Sequence, residues 1–316
     1  MDIESPDFWA TLKADLLKAD NLKIIFIEEI INDLKQALLS EFTGVSIYAF
    51  GSRALGVAVD LSDLDLFVDI GYGVYSETET KEALEVQLKI YKAIGRLYSK
   101  WTVIKTCGGR IPLVVVRHKS TKIRCDISFS NKMTYDQNRI VNYIFSLQPI
   151  ARYMVIYLRR WVQKNQIAGF RVHILILMVI FFLQVRGKLP SVSELQSGLS
   201  PNIGPWITSY TKLGLSYFNM KPIALNESES RSILKDFFKY YYMFDFKGQV
   251  VSPWLGRKVS RFELQSIVSQ RCKDCRGIDI DRAMIVQDLV HLNQNKAFSI
   301  DTEKFGCFVR NCGISI

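Results

Sequence analysis

Apolar residues recur at three- and four-residue spacing in Ile27, Ile30, Ile31, Leu34 and Leu38, the period of one buried helix face. This predicts a helix over 22–42, preceded by another over 8–20. From Gly44 the texture changes. Val45–Phe50, Leu64–Ile70, Thr102–Cys107, Leu113–Val116 and Ile123–Phe129 are short and rich in β-branched residues, which predicts strands. The charged stretch Ser76–Lys100 predicts a helix between the second and third of them. The region 44–130 therefore reads as a small α/β unit. After Tyr135 the pattern predicts helices over 136–146, 149–165, 170–186, 230–245 and 280–293. Pro190, Gly198, Pro201, Gly204 and Pro205 mark an irregular connection through 187–205. The apolar run Ile174–Leu183 has ten residues, too few to cross a bilayer, so it reads as a buried helix and no membrane-spanning segment is expected.

Composition narrows the picture. Hydrophobic residues at 48% against charged residues at 23% indicate a folded chain, and 316 residues suffice for one large domain or two ordinary ones. The expected division is N-terminal helices over 1–42 packing on the helical part, an α/β unit over 43–134 and a helical region over 135–316. A net charge of +10 points to a polyanionic partner, nucleic acid or anionic membrane. Asp2, Glu4, Asp7 and Asp15 fit neither a signal peptide nor a mitochondrial transit peptide. A cytoplasmic location and reduced cysteines are the resulting expectations.

The chemistry gathers in FGSRALG at 50–56 and SDLDLFVD at 62–69. Gly51 and Ser52 open a turn from a strand into a short helix, where backbone N–H groups and a hydroxyl can meet phosphate. Asp63 and Asp65 are two apart on a strand, so their carboxylates share a face. Mg²⁺ needs such a pair when substrate phosphates and waters complete its octahedron. In KIRCDISFS at 122–130, Ile123, Cys125 and Ile127 alternate with Arg124, Asp126 and Ser128. Asp126 is thus the candidate third carboxylate, able to help hold two metals and to assist deprotonation of an attacking 3′-hydroxyl. The bland alternative is a turn followed by solvated aspartates. The glycine–serine turn and the third aspartate weigh against it.

These motifs resemble the signature of the polymerase-β-like nucleotidyltransferase superfamily. RWVQKNQI at 160–167, ILMVIFFLQ at 176–184 followed by Leu189-Pro190, and LKDFFKYYYMFDF at 234–246 narrow the resemblance to noncanonical poly(A) polymerases and terminal uridylyltransferases. The match runs from about residue 25 to 297 in one order. The resemblance implies an α/β catalytic nucleotidyltransferase domain, a mixed sheet with flanking helices. It also implies a mainly helical central domain with a poly(A)-polymerase-associated region, with the nucleotide in the cleft between them. It implies Gly51, Ser52, Asp63, Asp65 and Asp126 as catalytic residues, Mg²⁺ or Mn²⁺ as cofactor and Asn138 as a ribose contact. Arg159 stands where a triphosphate-binding lysine is expected, with Lys164 nearby. Val172-His173 replaces a serine–tyrosine pair. VQDLVHLNQNKA at 286–297 resembles the nucleotide-recognition loop, bringing in Asp288, His291 and Asn295, with Gln294 in place of a uridine-selecting histidine.

The resemblance implies a template-independent transferase acting on a single-stranded RNA 3′ end, with UTP expected before ATP. One rival is a family member without turnover that serves as an RNA-binding or protein-interaction scaffold, motivated by Arg139, Val172 and Gln294. A second is a synthetase of small nucleotide messengers. Other features have plainer readings. Cys272/Cys275 and Cys307/Cys312 could ligate zinc, but ordinary thiols are the default. His118 reads as a surface residue beside Lys119. Basic residues at Lys119, Lys122 and Arg124, at Arg159, Arg160 and Lys164, at Arg186 and Lys188, and at Arg257, Lys258 and Arg261 could together line an RNA path.

Overall fold

The computed structural model describes residues 2–71, 75–273 and 275–316. The chain divides into two compact units, Leu17–Arg139, and Met1–Leu16 with Ile140–Ile316. The divisions fall inside the helices α1 (Phe8–Ile24) and Met133–Leu147.

The Leu17–Arg139 unit carries α2 (Ile27–Leu38), α3 (Gly51–Ala54), α4 (Lys81–Arg96) and the start of α5 (Met133–Leu147) around a five-stranded sheet. Its strands are β1 (Ser46–Phe50), β2 (Leu64–Asp69), β3 (Trp101–Cys107), β4 (Leu113–His118) and β5 (Arg124–Ser128), in the order β1-β2-β5-β4-β3. β2 and β5 run parallel, and the other three junctions are antiparallel. Leu64, Leu66 and Val68 of β2 and Cys125 and Ile127 of β5 point into one core. Strand alternation then turns Asp65 and Asp126 to the opposite face.

Three expectations change in this unit. The single helix over 22–42 is broken, because Phe26 adopts φ 63° in the left-handed region and separates α1 from α2. α2 belongs to the sheet unit. Its Ile30, Leu34, Ala37 and Leu38 join the sheet core beside Ile90 and Ile94 of α4. His118 is not a surface residue. It is 1% exposed, with Nε2 3.0 Å from Asp33 Oδ2 and its ring against Trp101.

The other unit contains α6 (Ile150–Lys164), α7 (Val172–Val185), α8 (Val192–Leu195), α9 (Glu227–Tyr242), α10 (Arg261–Arg271) and α11 (Thr302–Ile314). A short ladder, β6 (Gln249–Val250) with β7 (Val259–Ser260), precedes α10. α7 is buried at every position from Ile174 to Gln184, as a helix apolar all round must be. The Tyr241 hydroxyl of α9 donates to the Met178 carbonyl at 2.7 Å, which satisfies a phenol buried in that core. Among the described residues no helix is long and apolar enough to cross a membrane.

The helix expected over 280–293 does not form. Residues 284–293 are all buried, so there is no polar face to direct a surface helix. The chain instead makes bridges at Val251–Val286 and Gln287–Asn295. Arg261 Nη1 donates to the carbonyls of Ile280 and Arg282 at 2.5 and 2.8 Å, removing acceptors a helix would use. α10 and α11 were not expected, although Ser260 and Asp301 cap them by accepting from the N–H groups of Glu263 and Lys304. Cys272 and Cys275 are bonded to each other. They are therefore neither thiols nor half of a zinc site.

Leu34 is fully buried under the sheet. Leu34→Ala should cost about 2–5 kcal/mol in unfolding free energy. A loss within experimental error in urea denaturation would contradict the packing of α2 on the sheet.

Candidate active site

The parallel pairing of β2 with β5 sets Asp65 directly beside Asp126. Asp63 lies two residues earlier, just outside the first residue of β2. Arg53, 3% exposed, fixes the approach to β2. Its Nε donates to the Ser62 carbonyl at 3.0 Å and its Nη1 to the Leu22 carbonyl at 3.2 Å. Three carboxylates thus converge at one end of the parallel junction, on the face opposite the core.

Their electrostatics are those of a site made for a cation. Burial, reinforced by Asp126 and Asp63, raises the Asp65 carboxyl to about 7. Burial also raises the Asp126 carboxyl, with Asp63 adding to it and Arg124 opposing it. Asp126 Oδ1 is buried and accepts no hydrogen bond. Arg124 Nη2 lies 3.2 Å from it, an ion-pair distance without a directed bond. Oxygen-only ligands with unmet acceptor capacity fit a hard divalent ion such as Mg²⁺ or Mn²⁺.

Gly51 has a role the sequence reading did not give it. Its φ is +74°, and a Cβ there would sit 1.9 Å from Asp65 Oδ2. The missing side chain makes room for the carboxylate. Its N–H is not available to a phosphate either, because it donates to Asn138 Oδ1 at 2.9 Å. Asn138 on α5 therefore ties that helix to the turn holding Ser52. Ser52 itself is half-buried.

The remaining expected residues lie in the helical unit. Burial lowers the Arg159 guanidinium to about 10, while Lys164 at the end of α6 is exposed. Burial, with Lys296 and Arg171, lowers His173 to about 4, so the ring is neutral at physiological pH. Asp288 is 1% exposed. Burial alone would raise its carboxyl, but Lys296 Nζ at 2.7 Å and the N–H groups of Val290 and His291 hold it below the usual range. Both oxygens are thereby engaged in shaping the loop. Asn295 performs the same function, accepting from the N–H groups of Val286 and Ala297. His291 is buried against Trp206, and Gln294 Nε2 donates to Asn293 Oδ1 at 3.3 Å.

The structure also redistributes the basic residues. Arg160 pairs with Asp15, Arg186 with Asp236, and Arg257 with Glu263, while Arg261 serves backbone carbonyls. The RNA path expected from their clustering loses these members as free charges. Arg124 and Arg53 join the site beyond the expected residues, and alternation in KIRCDISFS puts Arg124 on the face of Asp126. Glu29, Asp33 and His118 also bring ligand atoms within 4.8 Å of one another, and Asp33 among them is already paired. Lys100 Nζ lies 2.5 Å from Asp33 Oδ1, and His118 Nε2 takes Oδ2.

The raised Asp65 carboxyl gives a signed prediction. In metal-free protein the folded state binds a proton that the unfolded state has lost between about pH 4 and 7. Stability from this group therefore falls as pH rises through that window, by roughly 4 kcal/mol in all. Asp65→Asn should remove that part of the difference between pH 5 and pH 8 in chelator-treated samples. An unchanged pH difference in the variant would refute the assignment. Gly51→Ala should lower the melting temperature and displace Asp65, since the turn is both left-handed and in contact with the carboxylate.

Residues 7–146 match the family described as "Poly(A) RNA polymerase, mitochondrial-like, central palm domain". The "Speckle targeted PIP5K1A-regulated poly(A) polymerase" of Danio rerio is 23% identical over 350 residues, covering 93% of this chain and 43% of that protein. The "Poly(A) RNA polymerase, mitochondrial" of Mus musculus is 23% identical over 278 residues, covering 79% of this chain and 47% of that protein. The chain thus spans less than half the length of these relatives. The crystal structure of mtPAP in complex with CTP shares the fold with a TM-score of 0.76 at 20% identity, covering 99% of this chain and 68% of that one. A cytoplasmic RNA terminal U-transferase does so with a TM-score of 0.67 at 18% identity, covering 91% and 85%. This chain is thus similar in sequence to poly(A) polymerases, with residues 7–146 matching their central palm domain, and it shares the fold of mtPAP and of a terminal U-transferase over nearly its whole length.

Proposed function

We propose that this chain adds nucleotides from a triphosphate to an RNA 3′ end without a template, using divalent cations held by Asp63, Asp65 and Asp126. The observation that carries this is the level pairing of Asp65 with Asp126 across parallel strands, with Gly51 cleared against the Asp65 oxygen. A bound divalent cation would neutralise triphosphate charge and acidify the attacking hydroxyl. Asp63 and Asp65 would hold the cation at the end of the parallel junction. Asp126 Oδ1, buried and without a hydrogen bond, is placed to take the 3′-hydroxyl proton. The Ser52 hydroxyl is the donor for the triphosphate on the turn, which Asn138 holds in shape through the Gly51 N–H.

Base choice is the finer part of the proposal. The resemblance puts UTP before ATP, through the uridylyltransferase-like length of the loop around Asp288–Asn295. The named relatives are poly(A) polymerases, and mtPAP structures carry UTP, ATPγS, GTP or CTP. Val172 cannot donate a hydrogen bond, and Gln294 can both donate and accept. We therefore take ATP and UTP as comparable substrates. A scaffold role is the alternative, favoured by one observation, the Arg124 guanidinium between Asp63 and Asp126.

The test is incubation of a labelled single-stranded RNA with Mn²⁺ or Mg²⁺ and each nucleoside triphosphate separately. Extension by ATP and UTP is expected. Asp63→Ala with Asp65→Ala should reduce it about a thousandfold or more, the loss of several kcal/mol of charge stabilisation. RNA binding without extension by any triphosphate would favour the scaffold. Products formed without RNA would favour a small-nucleotide synthetase.

A further inference from the structure

Arg124 opens β5 two residues before Asp126, so its side chain rises on the same face. Its Nη1 is 3.6 Å from Asp63 Oδ2. Its Nη2 is 3.2 Å from Asp126 Oδ1 and 3.4 Å from Oδ2. One guanidinium therefore bridges the carboxylate before β2 and the carboxylate on β5. Nε is buried without a hydrogen-bond partner, so the head group is aimed at the two aspartates rather than at neighbours along the strand. The side chain is nevertheless 37% exposed, and rotation into solvent is open to it.

The other cations facing the cluster behave differently. Arg53 is buried and bound to two backbone carbonyls, and acts on Asp63 through its charge alone. Lys105 of β3 acts on Asp126 in the same way. Neither bridges two carboxylates. A hard divalent ion needs carboxylate oxygens at roughly 2.0–2.6 Å. The Arg124 nitrogens lie 3.2 and 3.6 Å from oxygens of Asp126 and Asp63, so an ion and the guanidinium would draw on the same oxygens and repel each other.

We infer that Arg124 is a built-in counter-cation that competes with the divalent ion for Asp63 and Asp126. It holds the carboxylates together in the metal-free protein and swings out when the ion enters. The inference rests on the nucleotidyltransferase reading of the same aspartates. The apparent metal affinity is then the intrinsic affinity reduced by the fraction of molecules with Arg124 displaced.

The experiment is calorimetric titration of chelator-treated protein with Mn²⁺ alone, for wild type, Arg124→Gln, Arg124→Lys and Asp65→Asn. Arg124→Gln should bind with a Kd at least fivefold lower, about 1 kcal/mol. Arg124→Lys, which keeps the charge but not the fork, should fall between it and wild type. Melting temperatures supply a second readout. Metal-free Arg124→Gln should melt below wild type, and its rise on adding Mn²⁺ should be the larger. An Arg124→Gln Kd equal to or above that of wild type, with Asp65→Asn unable to bind, would overturn the inference and leave the metal site standing. Wild-type Mn²⁺ binding by Asp65→Asn would overturn the site reading itself, and this inference with it.

Discussion

Two carboxylates at the same level of adjacent parallel strands repel each other, and both resist ionisation when partly buried. Asp65 and Asp126 are in that position because β2 and β5 form the parallel junction of an otherwise antiparallel sheet. Much of the surrounding construction answers this one constraint. Gly51 has no side chain because Asp65 Oδ2 occupies its place. Arg53 is buried against the carbonyls that steer the chain to Asp63. Arg124 brings a positive charge to the two aspartates it can reach. Asn138 closes the turn from the side of α5. A site assembled this way is costly to keep empty, and its cost falls when a divalent ion supplies the missing charge.

Strand positions were legible in the sequence because polar and apolar residues alternate through β5 and, up to Leu66, through β2, where the buried Phe67 breaks the pattern. Leu64, Leu66 and Val68 face the core, which fixes the face of Asp65 without further information. Gly51 was visible as a turn residue, but not as the neighbour of Asp65, since that contact depends on the pairing of β1 with β2. His118 was misjudged for a similar reason. Its partners Asp33 and Trp101 come from α2 and the neighbouring strand. The stretch 280–293 failed because an unbroken buried run has no periodicity to separate helix from extended chain. Its shape is set by side-chain-to-backbone bonds from Asp288, Asn295 and Arg261. The capping serine and aspartate of α10 and α11 were a readable signal that went unused.

In the loop at 286–297, side chains bond back to the backbone that carries them. Asp288 lies within the expected region, yet both its oxygens are engaged by Lys296 and by the N–H groups of Val290 and His291. It shapes the loop that presents its neighbours. His291 is turned onto Trp206.

Anomalous diffraction from crystals grown with Mn²⁺ and a non-hydrolysable nucleoside triphosphate tests the central claim most directly. The account predicts a manganese peak at roughly 2.0–2.2 Å from oxygens of Asp63 and Asp65, with the Arg124 head group moved away from both Asp63 and Asp126. A peak at Glu29, Asp33 and His118 with none at the paired aspartates would contradict it.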